Sequence, residues 1–280
     1  MHLRHSIRLR FIIRHSPSEF TRNQSFLDRI AIYPIKSLDG VALSEARVSS
    51  GGGLAHDREF AVVDGRGNFV NGKRNARVHL LRASYDLEVR EVTLQAEGRQ
   101  AHFRLDDDCR EMEAWLSDFF GFSVQVLRNS VNGFPDDTEA WGPTVLGAGT
   151  LEEVGSWFDG LSAEEVRVRF RPNLVIGGAP AFWEDRLYGG PGVGFEVGEV
   201  RFEGVNPCQR CVVPTRDPST GKVYAKFQKR FMERRRETLP PWAAASRFDH
   251  FYRLSVNTRI PPSEAGKVLR VGDEVRMINV

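Results

Sequence analysis

Cysteine is scarce in this chain: three in 280 residues cannot staple a fold, and the odd count leaves at least one thiol unpaired. A disulfide scaffold is thereby excluded, and a reducing compartment is expected. Long apolar runs are missing as well. No stretch approaches the roughly eighteen apolar residues of a membrane-spanning helix, so no integral membrane segment is expected. A surplus of one charge is also lacking, with 39 Lys and Arg against 37 Asp and Glu. The formal charge of +2 is too even for the field of a dedicated nucleic-acid binder. No internal repeat or low-complexity tract occurs. What remains, 41% hydrophobic and 27% charged, is the composition of a globular protein. The length fits one large domain or two smaller ones.

Residues 1–25 carry Arg4, Arg8, Arg10 and Arg14 with no acid before Glu19. The arginines interrupt any secretory apolar core, so the segment reads as a disordered basic tail. Leu3, Ile7, Phe11 and Ile12 on one helical face give it the look of an organelle transit peptide. A cytoplasmic protein is expected, with an organelle as the alternative.

From residue 26 onward short β-friendly runs fall at 27–33, 42–48, 58–63, 78–83, 87–96 and 101–105, separated by glycine turns at 51–53, 64–67 and 97–98. A helix is predicted over 109–120, behind Asp108 and ending at Gly121, and a second over 151–158 with a capping box from Thr150 to Glu153. Strands return at 174–176, 195–205, 251–256, 268–271 and 274–280, interrupted by a basic helix around 223–237. The stretch 130–143, with Gly133, Pro135 and Gly142, reads as a linker. The fold class is therefore mainly β with α, an α+β chain: a β-barrel-like domain over 26–135 and a second barrel-type domain with flanking helices over 136–280.

Cys208 and Cys211 frame the sharpest motif, CQRC at 208–211. Two thiols at this spacing serve as a redox pair, as half of a zinc site, as a soft-metal ligand, or as mere core thiols. Zinc needs two further ligands, for which only Cys109 and seven scattered histidines remain. A thioredoxin-type pair sits where a helix begins, whereas Val212, Val213 and Pro214 read as extended chain. Arg210 lies inside the pair, and a guanidinium near Cys211 would favour its metal-binding thiolate. Lys36 and Ser37, then His56, Asp57 and Arg58, then Arg171 and Asn173 stand at strand ends, and such cationic forks and amide donors suit a phosphate or pyrophosphate. The glycines at 51–53 serve either as a turn or as a close approach to an anion. Glu184 and Asp185 read as an exposed loop pair, with a proton source as the other role. Lys226, Lys229, Arg230, Arg234, Arg235 and Arg236 read as one solvated helix face, docking to an acidic protein or to nucleic acid being the lesser readings.

Four motifs in order, IYPIKS (32–37), LAHDR (54–58), FRPNL (170–174) and PCQRC (207–211) followed by TRDPSTG (215–221), resemble the MOSC superfamily. The chain is more closely similar to its two-part members with an N-terminal MOSC β-barrel, such as the mitochondrial amidoxime reducing component and its bacterial relatives. The resemblance implies a molybdenum cofactor, whose metal takes a sulfur ligand from the second cysteine, Cys211. It assigns Lys36, Ser37, Arg58, Arg171, Asn173, Gln209 and Arg210 to the cofactor's phosphate and pterin. It implies reduction of N-hydroxylated compounds, amidoximes and hydroxylamino bases, to amines, with catalysis by Cys211 and with Asp185, in FWED (182–185), as proton donor. A cofactor carrier or sulfur-transfer protein without turnover is the alternative, and pyridoxal phosphate is a second cofactor associated with such membership. Where the mitochondrial branch has a Cys-Asp pair, this chain has Ala179 and Pro180, which leaves substrate preference open. An appended iron–sulfur cluster needs four cysteines, so electrons are expected from a separate ferredoxin-, flavodoxin- or cytochrome-type donor.

Overall fold

The computed structural model describes residues 24–189 and 193–278. The expected tail at 1–25 lies almost wholly outside the described residues. The first strands are β1 (Phe26–Ile32), β2 (Val41–Leu43), β3 (Glu45–Arg47), β4 (Phe60–Asp64), β5 (Arg82–Asp86), β6 (Glu91–Ala96) and β7 (Arg99–Arg104). Helix α1 (Cys109–Phe120) and strands β8 (Val124–Arg128) and β9 (Val145–Gly147) follow, then helices α2 (Ala148–Ser156) and α3 (Ala163–Phe170). The chain continues through β10 (Leu174–Gly177), β11 (Gly194–Val197), β12 (Val200–Gln209), helix α4 (Phe227–Glu237), β13 (Arg253–Arg259), β14 (Val268–Arg270) and β15 (Val275–Ile278). The α+β reading, mainly β, holds.

Eight strands form one sheet in the order β15-β11-β12-β13-β9-β10-β1-β2. A bridge between Phe26 and Glu274 ties β1 back to the chain entering β15, so the sheet curls into a barrel. Alternate side chains of its strands, among them Leu27, Ile30, Val145, Leu174, Phe195, Phe202 and Val256, fill the interior. A second core lies under the β4-β8 pair, the β5-β6-β7 sheet and α1, built from Phe60, Val62, Val92, Leu94, Phe103 and the α1 residues Met112, Leu116 and Phe119. A third packs α2, α3 and α4 together through Val154, Trp157, Phe170, Phe227 and Phe231. Core membership thus crosses the chain, since β1 and β2 pair within the sheet that holds the later strands. No helix among the described residues is long and apolar enough to cross a membrane.

Helix α1 begins and ends where its apolar spacing predicts, and Gly121 closes it in the left-handed conformation, its N–H donating to the Ser117 carbonyl. Three expectations need correction. Thr150 caps nothing: α2 starts at Ala148, and the buried Thr150 hydroxyl donates to Glu184 Oε2 at 2.9 Å and accepts from Phe182 N. The true capping box is Ser162 with Glu165 at the head of α3, a helix hidden in the sequence because Arg167 and Arg169 dilute its apolar stripe. The run at 78–83 does not start as a strand, because Asn75 caps a 3-10 turn, Ala76–Leu80, before β5 begins. Likewise Val213–Thr215 is a 3-10 turn rather than extended chain.

At Gly204, where β12 and β13 slip register, the backbone passes the 183–187 turn so closely that an added Cβ would sit 1.6 Å from the Leu187 carbonyl oxygen. Gly204→Ala is therefore expected to lower stability by about 2–3 kcal/mol through enforced backbone displacement. Denaturant melts of the purified variant check this, and an unchanged midpoint would contradict the packing described.

Candidate functional site

A cavity of about 710 Å³ lies where the 36–39 loop, the 130–143 segment, the end of α3 and the end of β12 meet. Lys36, Ser37, Arg58, Arg171, Asn173, Gln209, Arg210 and Cys211, drawn from four separated motifs, all line it. The segment read as a linker is one of its walls, contributing Pro135, Asp136, Asp137, Thr138, Ala140 and Gly142.

Ser37, Arg58 and Arg171 each hold a left-handed backbone, with φ of 74°, 51° and 54°. Such conformations are strained for non-glycine residues and tend to gather where a side chain must be aimed rather than merely packed. Arg171 is also the residue that ends α3, its N–H donating to the Arg167 carbonyl.

The cations are spaced by an aromatic ring. Tyr33, whose hydroxyl donates to the Pro172 carbonyl at 3.2 Å, lies 4.0 Å from the Arg171 guanidinium and 5.4 Å from that of Arg58. Arg58 donates to Asp57 and, at 3.3 Å, to Asn173 Oδ1. Burial acts against its charge, but Asp57 and Asp136 outweigh it and hold the group firmly protonated. Lys36 donates to the Phe134 carbonyl at 2.8 Å and to Asp136 Oδ1 at 2.7 Å, and burial pulls its pKa below the ordinary lysine value. Arg171 is different in kind. Its guanidinium makes no hydrogen bond or ion pair with any described residue, and burial lowers its pKa against the opposing pull of Tyr33. A guanidinium left in this state is a ready acceptor site for an anion.

Asn173 is a clamp rather than a free ligand. Its carbonyl oxygen accepts from Arg58 and from the Thr144 N–H and hydroxyl, and its amide nitrogen donates to Ala31 O at 3.0 Å, so its polar atoms are committed. The exposed Gln209 makes no side-chain hydrogen bond among the described residues. Arg210 does not turn toward Cys211. It donates to Cys208 Sγ at 2.9 Å and to the Phe170 carbonyl, while Cys211 Sγ receives only the Val213 N–H at 3.5 Å.

Other expected residues fall outside the cavity. Asp185 is 3% exposed and locked between the Tyr188 hydroxyl at 2.7 Å and the buried Arg235. It does not line the cavity, so its placement gives no support to a proton-donor role there. Glu184 is 1% exposed, which corrects the exposed-pair reading, and burial with the adjacent Asp185 pushes its carboxyl up to about 7. Arg235 leaves the solvated face for the same reason, stacking on Phe182 and Phe248. The triple glycine forms a turn against Val131 and Asn132 and lines no part of the large cavity. His56 reaches Glu59 at 2.8 Å instead of the cavity. Sequence reasoning missed Tyr33 as the spacer, and it missed the network in which Asn257 and Asn206 donate to Asp137, tying the 130–143 wall to β12 and β13. The tyrosine stood inside a recognised motif, but nothing local marked its role.

Among the described residues no group of three His, Cys, Asp or Glu side chains converges, so the cysteine pair lacks the further protein ligands of a structural zinc site. Two part-exposed thiols, of which only Cys208 is taken by a guanidinium, stand beside a row of cations and suit instead a metal whose remaining ligands come with an anionic organic group.

Residues 24–163 match the MOSC N-terminal beta barrel domain, and residues 149–276 match the MOSC domain. The human mitochondrial amidoxime-reducing component 1 is 26% identical over 255 residues, covering 74% of this chain and 72% of that protein. Mitochondrial amidoxime reducing component 2 of Macaca fascicularis is 24% identical over 244 residues, 71% of this chain and 68% of its own. The human molybdenum cofactor sulfurase is 25% identical over 241 residues, but this chain spans only 26% of its length. The solved YUAD protein from Bacillus subtilis superposes with a TM-score of 0.34 at 11% identity, over 91% of this chain and 95% of that one, and carries no argument. Neither the matched domains nor the relatives' names point to pyridoxal phosphate, and that expectation is dropped.

Behind Arg58, the buried Glu59 carboxylate takes Arg90 at 2.9 Å, Arg128 at 2.8 Å and His56. Burial alone would raise its pKa, but these partners hold it at about 2. A carboxyl depressed in the folded state stabilises at pH above its unfolded value near 4.5, and that contribution fades as pH falls toward 2. Glu59→Gln is expected to cost about 3 kcal/mol at pH 7 and to flatten the acid limb between these pH values. Urea melts from pH 7 to 3 check it, and an acid slope equal to wild type would refute the assignment.

Proposed function

Because the chain belongs to the MOSC family, a MOSC N-terminal β-barrel domain followed by a MOSC domain, we propose that it is a molybdenum-cofactor-dependent oxidoreductase that reduces N-hydroxylated compounds to amines. The observation that carries this reading is the meeting of Cys211 with Lys36, Ser37, Arg58 and Arg171 on one cavity. The residues fit the group. Cys211 offers a sulfur engaged only by one long N–H contact, and thiolate sulfur is a soft donor suited to a heavy metal. Lys36, Arg58 and the unpartnered Arg171 would neutralise its phosphate, with Ser37 as a hydroxyl donor, while Gln209 and Arg210 border the pterin side. When bound, the reduced cofactor would supply the two electrons that break the N–O bond and would take up its oxygen, which leaves as water once the donor's electrons and protons arrive.

The chain's own work is binding and orientation. Asn173 fixes Arg58, Tyr33 separates Arg58 from Arg171, and Asp136 holds Lys36 against the wall. The cavity acids Asp39, Asp136 and Asp137 are all engaged, the first by Arg82 and the Ala83 N–H, the second by Lys36 and the third by Asn206 and Asn257, and Asp185 is left out of the mechanism. In this reading a separate ferredoxin-, flavodoxin- or cytochrome-type protein supplies the electrons, and Cys109, which donates to the Leu105 carbonyl at the head of α1, stands apart from the CQRC pair. The free thiols fit a reducing compartment, the cytoplasm in this reading. Likeness to a sulfurase, and a Cys208 that shares the cavity and receives the Arg210 guanidinium, support a second reading as a cofactor carrier or sulfur-transfer protein.

Protein purified from a host that makes the cofactor is expected to hold about one molybdenum per chain and to reduce benzamidoxime with a chemical electron donor. Cys211→Ala should abolish that activity. Metal-replete protein inactive on every N-oxygenated compound tried would defeat the reductase reading, and rapid handover of the cofactor to an apo-enzyme would establish the second.

A further inference from the structure

Beyond Cys211 the cavity wall changes owner. One short turn further along the chain stands Arg216, and around it gather His79, Arg82 and Arg169, all lining the same cavity. They form a contiguous set through the 214–218 backbone. Arg169 Nη1 donates to the carbonyls of Pro214 at 3.2 Å and Arg216. Arg82 Nη2 donates to the carbonyls of His79 at 2.9 Å and Pro218 at 3.0 Å.

Their charges are poorly answered. Asp39 lies 3.4 Å from Arg82 but also accepts from Ala83 N at 3.0 Å. Asp217 comes no nearer than 4.0 Å to Arg169, and its other oxygen already accepts four hydrogen bonds from Ser219 and Thr220. Arg216 has no carboxylate within ion-pair range among the described residues, only the Gly221 carbonyl at 3.4 Å. The Nε atoms of Arg82, Arg169 and Arg216 are buried without partners, three of the ten such side-chain atoms among the described residues, and His79 packs against the Gly72 backbone. Folded proteins leave only a few such atoms per hundred residues, and three guanidinium nitrogens gathered around one cavity wall mark a missing acceptor. Burial also lowers the pKa of Arg169 and, aided by Arg216 and Arg82, that of His79, the direction expected of cations lacking a counter-charge.

We propose that His79, Arg82, Arg169 and Arg216 form a second anion subsite that receives a carboxylate or phosphate carried by the substrate. The assignment to substrate rests on the reductase reading, in which Lys36, Arg58 and Arg171 already serve the cofactor's phosphate. Substrates of this protein are then N-hydroxylated compounds with an acidic substituent, held by the guanidinium set while the N–O group faces Cys211.

The test compares benzamidoxime with 4-carboxybenzamidoxime on the cofactor-loaded enzyme, by steady-state kinetics with a chemical donor and by calorimetric binding without donor. Wild type is expected to favour the carboxylated compound in both. Arg216→Ala should cut that preference about tenfold or more, the scale of a lost hydrogen bond to a charged group, and Arg216→Lys should restore part of it. Molybdenum content should stay at the wild-type level. Arg82→Gln serves as the second variant should Arg216→Ala fold poorly. Equal affinity for the two compounds, or a preference untouched by both variants, would overturn the subsite. Loss of molybdenum in Arg216→Ala with the preference intact would assign the cluster to the cofactor and likewise overturn it. If neither compound is reduced but the calorimetric preference is present and collapses in the variants, the subsite stands and the reductase reading falls.

Discussion

Positive charge held in a half-buried cavity is the constraint on which the rest of this structure depends. Arg58, Arg171 and Lys36 repel one another and lose hydration, so each needs a device to keep it in place. The Tyr33 ring gives Arg171 a π face 4.0 Å away and stands between it and Arg58. Asp57 and Asp136 balance Arg58 and Lys36, and Asn173 spends its side-chain carbonyl on Arg58 and Thr144. Arg171 alone is left without an acceptor. The fold tolerates that state because α3 and the barrel strands are secured by their own cores, α3 through Val166 and Phe170 and the strands through Leu27, Leu174 and Val256.

The two halves of the chain meet at this cavity rather than at a linker. The loop after β1 and the turn preceding β4 supply Lys36, Ser37 and Arg58, whereas the end of α3 and the end of β12 supply Arg171, Gln209, Arg210 and Cys211. The 130–143 segment closes the wall between them through Asp136 on Lys36 and Asp137 on Asn206 and Asn257. A site assembled from residues this far apart in sequence is positioned by the barrel, and each contributing segment ends in a turn or a left-handed residue that aims a side chain inward.

Much of this was legible in the sequence, for reasons that differ by element. Helix α1 was readable because Met112, Leu116 and Phe119 keep helical spacing and Gly121 ends it. The eight cavity residues were named because their motifs resemble those of the MOSC family, and the structure brings all eight to one cavity. What stayed hidden was tertiary. Glu184 and Asp185 look like a surface pair until α4 delivers Arg235 to the interior, and Thr150 looks like a cap until Glu184 claims its hydroxyl. Arg210 appears poised for Cys211 by adjacency, yet the turn at 211–215 directs it to Cys208 instead. No local pattern reveals a buried partner contributed by a distant segment, which is also why the basic cluster around Arg216 escaped notice.

The central claim is a bond between the Cys211 sulfur and a molybdenum centre in the cation-lined cavity. X-ray absorption at the molybdenum edge reads that bond directly, comparing wild type with Cys211→Ala loaded in the same host. The account predicts one fewer sulfur neighbour around the metal in the variant, with the sulfurs brought by the cofactor unchanged. An identical sulfur shell in both proteins would contradict it.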